Sequence, residues 1–362
     1  MSASLKIDLT QVPFSARGSF LAVSQLPAHW QGLPNAAGLY LRTVRHDVQT
    51  PLIAQISLPD EEFDAAIEHA GLTLTGASFR VECCFAGPEA LLFRGNGSVT
   101  LDFLAETGAY DYLYAVEADS HLLWMANCYK NNKQYLIRVE QGTAEPDQCW
   151  QESTALYARF RISGAPDFLF EIREIACEWD PLQPPPDFDR SKAETERDYL
   201  AFEVGLPESA PCFQELLHQA LFINWSSLVR PEGFLKRESM YMSKNWMTNV
   251  WSWDHCFNAM ALCRDHPSLA WDQWMIMADF QDGYWRGPIW APSTLMLIDG
   301  LIRCGEQCLA QEVSERFVAM TEKSGFAENY DALTGEGLRD RAYTWTASTA
   351  MILVREILSM NR

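Results

Sequence analysis

Basic residues are scarce in this chain: 28 Lys and Arg stand against 48 Asp and Glu, giving a formal net charge of −20 over 362 residues. Binding phosphates needs concentrated Lys and Arg, so this balance excludes nucleic acid and an anionic membrane as partners. It serves solubility and leans toward a neutral rather than an anionic substrate. Long apolar runs are missing as well. Nothing approaches the run of about 18 residues that a membrane span requires, and Met1-Ser2-Ala3-Ser4-Leu5-Lys6 lacks the apolar core of a secretory leader. The expected location is the cytoplasm. The ten cysteines include no C-x-x-C pair and no His/Cys metal spacing. Free thiols in a reducing compartment are expected, with no metal and no cofactor. Cys256 and Cys263, seven apart on one helix face, are expected to pack in a core. There is no internal repeat and no low-complexity segment.

What is present describes a globular chain of two domains, with 48% apolar and 21% charged residues. The N-terminal half reads as β. Leu39–Val44, Phe79–Cys84, Tyr112–Val116, His121–Ala126, Gln134–Val139 and Phe168–Cys177 are strand-like. Leu91-Leu92-Phe93 and Ser98–Phe103 flank Gly95-Asn96-Gly97, whose Asn-Gly pair predicts a hairpin. A strand rather than a helix follows these glycines, so they do not form a nucleotide loop. Many short strands with turn signals predict a β-sandwich over residues 1–180. Asp180-Pro181-Leu182-Gln183-Pro184-Pro185-Pro186-Asp187 reads as a stiff linker, and the charged run Arg190–Asp198 as a solvated connecting helix, together spanning 181–207. Residues 208–362 read as helical. Six helices are expected: Ala210–Val229, Trp251–Arg264, Pro267–Asp282, Pro288–Cys304, Glu306–Ser324 and Tyr343–Leu358. Pro288 suits a first helical turn, and Gly325 suits a helix end that needs positive φ.

Nine of the thirteen tryptophans lie between Trp225 and Trp345. Tyr284-Trp285-Arg286-Gly287-Pro288-Ile289-Trp290 packs three large aromatics around a guanidinium. A buried core has little use for that arginine, and an exposed loop has little use for the tryptophans. A sugar pocket uses both: indole faces cover pyranose C–H faces, and Arg offers a planar fork of donors. Packing alone remains the alternative. Trp251-Ser252-Trp253-Asp254 opens a helix, where Asp254 either favours the helix dipole or faces a ligand. Glu328, in Gly325-Phe326-Ala327-Glu328-Asn329-Tyr330-Asp331, is expected on a loop just past a helix. It is either solvated or held among aromatics for acid–base work. Trp345 begins the last helix.

These three clusters, in this order, resemble the W-x-W-D, Y-W-R-G-P-x-W and E-x-Y-D patterns of glycoside hydrolase family 63 and its relatives. The resemblance implies an (α/α)6 toroid behind a β-sandwich and hydrolysis of α-linked glucosides or mannosides with inversion. In that mechanism one carboxylic acid protonates the leaving oxygen and a second carboxylate activates water. It places the general base on Glu328 and sugar contacts on Trp251, Trp253, Asp254, Tyr284, Trp285, Arg286, Trp290, Tyr330 and Trp345. Arg286 would orient Trp285 or Asp254, or reach a substrate oxygen. The implied partner is a glycoside or oligosaccharide.

One departure outweighs the matches. The family's general acid lies in a Gly-rich stretch between the first two motifs, and here only His255–Gly283 separates them, with no such stretch. Asp279 and Asp282 are the carboxylates near the join. Twelve helices would need roughly 250 residues at ordinary lengths, while 155 follow Pro207. The toroid is therefore expected to be incomplete, and apolar helix faces left without neighbours favour self-association. Impaired catalysis is the expectation. The alternatives are a non-catalytic carbohydrate-binding or structural remnant, or a truncated gene product.

Overall fold

A computed structural model describes residues 7–30, 33–34, 36–45, 51–68, 70–103, 109–118, 121–129, 132–175, 184–204, 211–276 and 288–358. The chain divides into two compact units. The first is Met1–Val229 with Ser243–Thr248, and the second is Arg230–Met242 with Asn249–Arg362.

Twelve antiparallel strands make up the first unit's sheet: β1 (Leu21–Leu26), β2 (Gly38–Thr43), β3 (Leu52–Ser57), β4 (Asp64–Glu68), β5 (Gly71–Thr75), β6 (Arg80–Phe85), β7 (Ala90–Asp102), β8 (Tyr112–Ala118), β9 (His121–Cys128), β10 (Lys133–Gln141), β11 (Thr143–Gln151) and β12 (Thr154–Ile175). The main path runs β1-β2-β3-β7-β12-β10-β9-β8. β11 pairs with β12, and β4-β5-β6 joins the path at β7. The large antiparallel sheet is thus continuous by hydrogen bonding. The 22-residue β12 makes it so. Its first half pairs with β11 and with the second half of β7, and its second half pairs with β10 and the first half of β7. The sheet doubles back, so Trp124 of β9 packs on Phe160 of β12 with ring centroids 5.2 Å apart. Along β12 the buried Phe160 and Ile162 alternate with the exposed Arg159 and Arg161, as a half-buried strand requires.

The expected hairpin at Asn96-Gly97 does not form. β7 continues through Gly95-Asn96-Gly97 and bends there, opposite a register break in β12 between Gly164 and Phe168. The glycines serve close approach. A Cβ on Gly95 would meet the Arg80 carbonyl oxygen at 2.1 Å, and Gly97 holds φ at +85°. Asn96 Oδ1 accepts from the Arg80 N–H at 2.7 Å. β12 pairs with both flanks, while the other neighbour changes from β6 before the glycines to β3 after them, so the glycines make a bend within one strand.

The domain boundary also differs from expectation. Helix α1 (Phe188–Glu203) is capped by Asp187, whose carboxylate accepts from the Arg190 N–H at 2.8 Å. It does not cross solvent. Phe188, Tyr199 and Phe202 are buried, Thr195 Oγ1 donates to the Phe85 carbonyl at 3.1 Å, and the Arg94 guanidinium stacks over Phe188. Helix α2 (Gln214–Ser227) packs Trp225 edge-on against Tyr199 and donates the indole N–H to Asp198 at 2.7 Å. Both helices belong to the sheet unit. Sequence alone had placed α2 in the toroid, because an amphipathic stripe does not say which surface will cover it.

Residues 243–248 complete the first unit as a strap. The Lys244 ammonium is 3% exposed and donates to Ser15 Oγ and to the carbonyls of Ala16, Ser19 and Leu228 within 2.7–3.1 Å. Arg42, buried on β2, donates to Ser24 Oγ and to the carbonyls of Lys244 and Asn245, and stacks on Trp30. Burial pushes the Arg42 pKa down to about 9.

The second unit is helical: α3 (Ser252–Leu262), α4 (Pro267–Met275), α5 (Ala291–Arg303), α6 (Gln307–Ser324), a small hairpin of β13 (Ala327–Tyr330) and β14 (Gly337–Arg341), and α7 (Thr344–Ile352), which continues as a π-helical turn over Leu353–Leu358. Short links make α3–α4 and α5–α6 into helical hairpins. After α5, the Gly305 N–H bonds the Ile302 carbonyl and the Glu306 N–H bonds the Leu301 carbonyl, with Gly305 at φ +85°. This pattern satisfies the last carbonyls and reverses the chain. Gly325 ends α6 at φ +76°, as expected, with ψ 176°. Pro288 does not open α5. Trp290 is its N-cap, and Pro292 supplies the first-turn proline. No helix among the described residues is long and apolar enough to cross a membrane.

Candidate functional site

Helices α3 and α5 run parallel as neighbours. The Cys256 thiol reaches the Ser293 carbonyl near their N-termini, Met260 lies against Gly300 midway, and Cys263 meets Cys304 at their C-termini. Helix α7 joins α5 in the same sense: the Trp290 and Trp345 rings, each at a helix start, meet edge to face at 5.6 Å. Three helix N-termini therefore gather at one end of the unit. They bring Trp251, Trp253 and Asp254 on α3, Trp290 at α5 and Trp345 on α7 to that end.

Strand β13 is tied to the same place. The backbones of Ile289 and Tyr330 exchange two hydrogen bonds, at 2.7 and 3.0 Å. The Trp345 indole donates to the Glu328 carbonyl at 2.9 Å, and Thr346 Oγ1 donates to the Ala327 carbonyl at 2.7 Å. Glu328 lies on this strand rather than on an open loop, because β14 pairs with it, and it is 7% exposed. Asp331 closes the hairpin turn by accepting from the N–H groups of Leu333 and Thr334 and from the Thr334 hydroxyl. These bonds hold its pKa below the usual carboxylate value.

The expected sugar contacts differ in exposure. Trp251 and Trp253 are 38% and 43% exposed, with Trp253 edge-on to Phe257 at 5.4 Å. Asp254 is half-buried, and burial raises its pKa although its own N–H opposes the shift. Trp290 and Tyr330, expected to face a sugar, are 1% and 0% exposed; Tyr330 sits in a core with Ile298, Phe317 and Leu353, and Trp290 lies against Trp345. The Tyr330 hydroxyl is spent on the Gly325 carbonyl at 2.7 Å. Phe317 of α6 and Leu353 of the π turn pack with the Tyr330 ring. Trp345 is half-buried. Tyr284, Trp285 and Arg286, with Asp279 and Asp282, lie outside the described residues. No cluster of three or more metal-binding side chains occurs among the described residues.

Two buried polar side chains beside these motifs escaped the sequence reading. His255 is 1% exposed, and its Nδ1 lies 3.1 Å from the Trp251 carbonyl. Desolvation pushes its pKa down to about 4, so it is neutral near pH 7. Among the described residues its Nε2 has no hydrogen-bond partner, nor does the side-chain amide of Asn329, which is fully buried. Their positions directly after Asp254 and Glu328 were the available signal.

A domain model described as the mannosylglycerate hydrolase MGH1-like glycoside hydrolase domain matches residues 281–346. That stretch contains the second and third motifs and reaches Trp345. Over this stretch the chain is similar to mannosylglycerate hydrolases. A mannosylglycerate hydrolase of Thermus thermophilus is 36% identical over 77 residues, which are 21% of this chain and 19% of that protein. Another, of Rubrobacter radiotolerans, is 36% identical over 73 residues, 20% of this chain and 16% of that one. The chain thus spans less than a fifth of the length of these two relatives. A solved structure of a family 63 mannosylglycerate hydrolase of Thermus thermophilus, in complex with Tris and D-glycerate, is 34% identical over 21% of this chain and 18% of that chain, with a TM-score of 0.20.

Proposed function

We propose that the helical unit is a shortened piece of an (α/α)6 glycosidase toroid that holds the sugar of an α-linked mannoside or glucoside and has lost normal turnover. One observation carries this reading: three parallel helices present Trp253 and Asp254, Trp290, and Trp345 at one end, with Glu328 bonded through its backbone to Trp345. Parallel inner helices with motif residues at one mouth are what a toroid segment would display. Glu328 is the base that would take a proton from water attacking the anomeric carbon. The exposed face of Trp253 would cover the sugar, and the Asp254 carboxyl would bond its hydroxyls. Inversion also needs a proton donor on the leaving-group side, roughly 6.5–9.5 Å from the base. The family's acid segment is missing between Asp254 and Tyr284. Asp254, whose pKa burial raises, is the carboxyl among these motifs suited to retain a proton. The substrate to test first is mannosylglycerate, after the relatives' names.

The experiment compares mannosylglycerate with an aryl α-mannoside carrying an activated leaving group. Loss of a general acid costs a factor of about 100 to 10,000, and a good leaving group offsets much of it. The expected result is slow release of the aryl group, abolished by Glu328→Gln, and no measurable hydrolysis of mannosylglycerate. Turnover of mannosylglycerate at about 1 per second or faster would defeat the proposal of impairment. A second reading, a carbohydrate-binding or structural remnant without catalysis, is favoured by the full burial of Trp290 and Tyr330. Aryl release unchanged by Glu328→Gln, or none at all, would select it.

A further inference from the structure

We propose that Cys263 and Cys304 are a thiol pair that closes into a reversible disulfide, stapling the C-terminal ends of α3 and α5. Their sulfurs lie 3.4 Å apart, although the residues are 41 positions apart in the chain. Each occupies the C-cap of its helix, and the two helices are packed in parallel, so the approach is built by tertiary structure. Cys304 is exposed and Cys263 partly exposed, so a small oxidant reaches the pair from solvent. The contrast with Cys256 on the same helix is instructive. Cys256 is 1% exposed and directs its thiol to the Ser293 carbonyl, facing another helix's backbone rather than a second thiol.

The chemistry closes without a metal or cofactor. The Cys304 thiolate attacks the S–S bond of a small disulfide such as oxidised glutathione, expelling one thiol and forming a mixed disulfide. The Cys263 thiolate then attacks the Cys304 sulfur, forming the protein S–S bond and expelling the second thiol. Two protein thiols are oxidised, one small disulfide is reduced, and the two thiol protons end on the released thiols. This order follows from access. Burial, with Cys304 adjacent, pushes the Cys263 thiol pKa up, so Cys263 is the weaker first nucleophile and the natural resolving thiol. The staple lies at the opposite end of α3 and α5 from Asp254 and Trp290. It would fix the spacing of the two helices without occupying the mouth.

The test uses the full chain incubated with oxidised glutathione and digested without reduction. A peptide joining Cys263 to Cys304, lighter by two hydrogen atoms than its separate parts, is expected. The unfolding midpoint of the oxidised protein should rise by roughly 5–10 °C, because the cross-link closes a loop of about 40 residues, and dithiothreitol should reverse the rise. Cys263→Ser and Cys304→Ser should each abolish the cross-link and the rise, and Cys308→Ser, at another exposed cysteine, should leave both intact. Stable glutathionylation of Cys304 without the joined peptide would overturn the proposal. So would cross-links confined to separate molecules, or a midpoint unchanged by oxidation.

Discussion

Acid should weaken the helical unit through His255, and the size of the effect follows from its burial. The imidazole is 1% exposed and its pKa falls from 6.5 to about 4. In the unfolded chain the ring binds a proton below about pH 6.5, while in the folded unit it stays neutral until about pH 4. The unfolded state therefore holds more protons between these values. The stability this contributes is complete above pH 6.5 and is lost as pH falls toward 4. A shift of about 2.5 units corresponds to roughly 3 kcal/mol at the acid limit. Asp254 works in the opposite direction. Its folded pKa is raised, so its contribution is present at low pH and is lost as pH rises through that folded value. Comparing the wild type with His255→Gln cancels the Asp254 contribution. Urea unfolding followed by tryptophan fluorescence at pH 7.5, 6.5, 5.5 and 4.5 would give both curves. The stability difference between the two proteins should shift in favour of the variant by about 2–3 kcal/mol across that range. A difference that stays constant with pH would refute the assignment of a buried, neutral imidazole.

Three further outcomes are expected. Lys244→Met should destabilise the sheet unit by about 3–5 kcal/mol in chemical denaturation, because it strands the hydroxyl and carbonyls that the ammonium satisfies; a loss under about 1 kcal/mol would contradict the strap's role. A fragment of residues 1–180 should melt without cooperativity, since it lacks the cluster of Phe188, Tyr199, Phe222 and Trp225, whereas residues 1–248 should show one sharp transition by differential scanning calorimetry. The exposed Trp251, Trp253, Phe257 and Trp271 on the α3–α4 hairpin should bind an apolar-surface dye and promote self-association on size exclusion; a clean monomer without dye signal would show that these faces are inert.

Helices α3, α5, α6 and α7 were readable from the chain within a few residues, because 3.6-residue periodicity and glycine past an end are local signals. So were most strand cores and the three motif clusters. Helix α4 starts at the expected Pro267 but ends at Met275, and the remainder of its expected range to Asp282 lies almost wholly outside the described residues. Where local chemistry was ambiguous, long-range pairing decided. Asn96-Gly97 satisfies a hairpin's dihedral demands equally well as a bend, and the pairing of both flanks with β12 chose the bend. The expected boundary at 180 failed because an amphipathic helix such as α1 carries no record of its partner, and it was the sheet's face that received Phe188. Likewise no local pattern marks Lys244 as a plug, since its acceptors come from two stretches of chain far from it in sequence, 15–19 and Leu228. The motif residues were named by their order in the sequence. Only the parallel packing of α3, α5 and α7 brought them to one end, and only the closing core separated the exposed Trp253 from the enclosed Trp290 and Tyr330. Sequence dictates which faces must be covered, because burial follows composition and period. The fold dictates what covers them, because that depends on contacts between residues far apart in the chain.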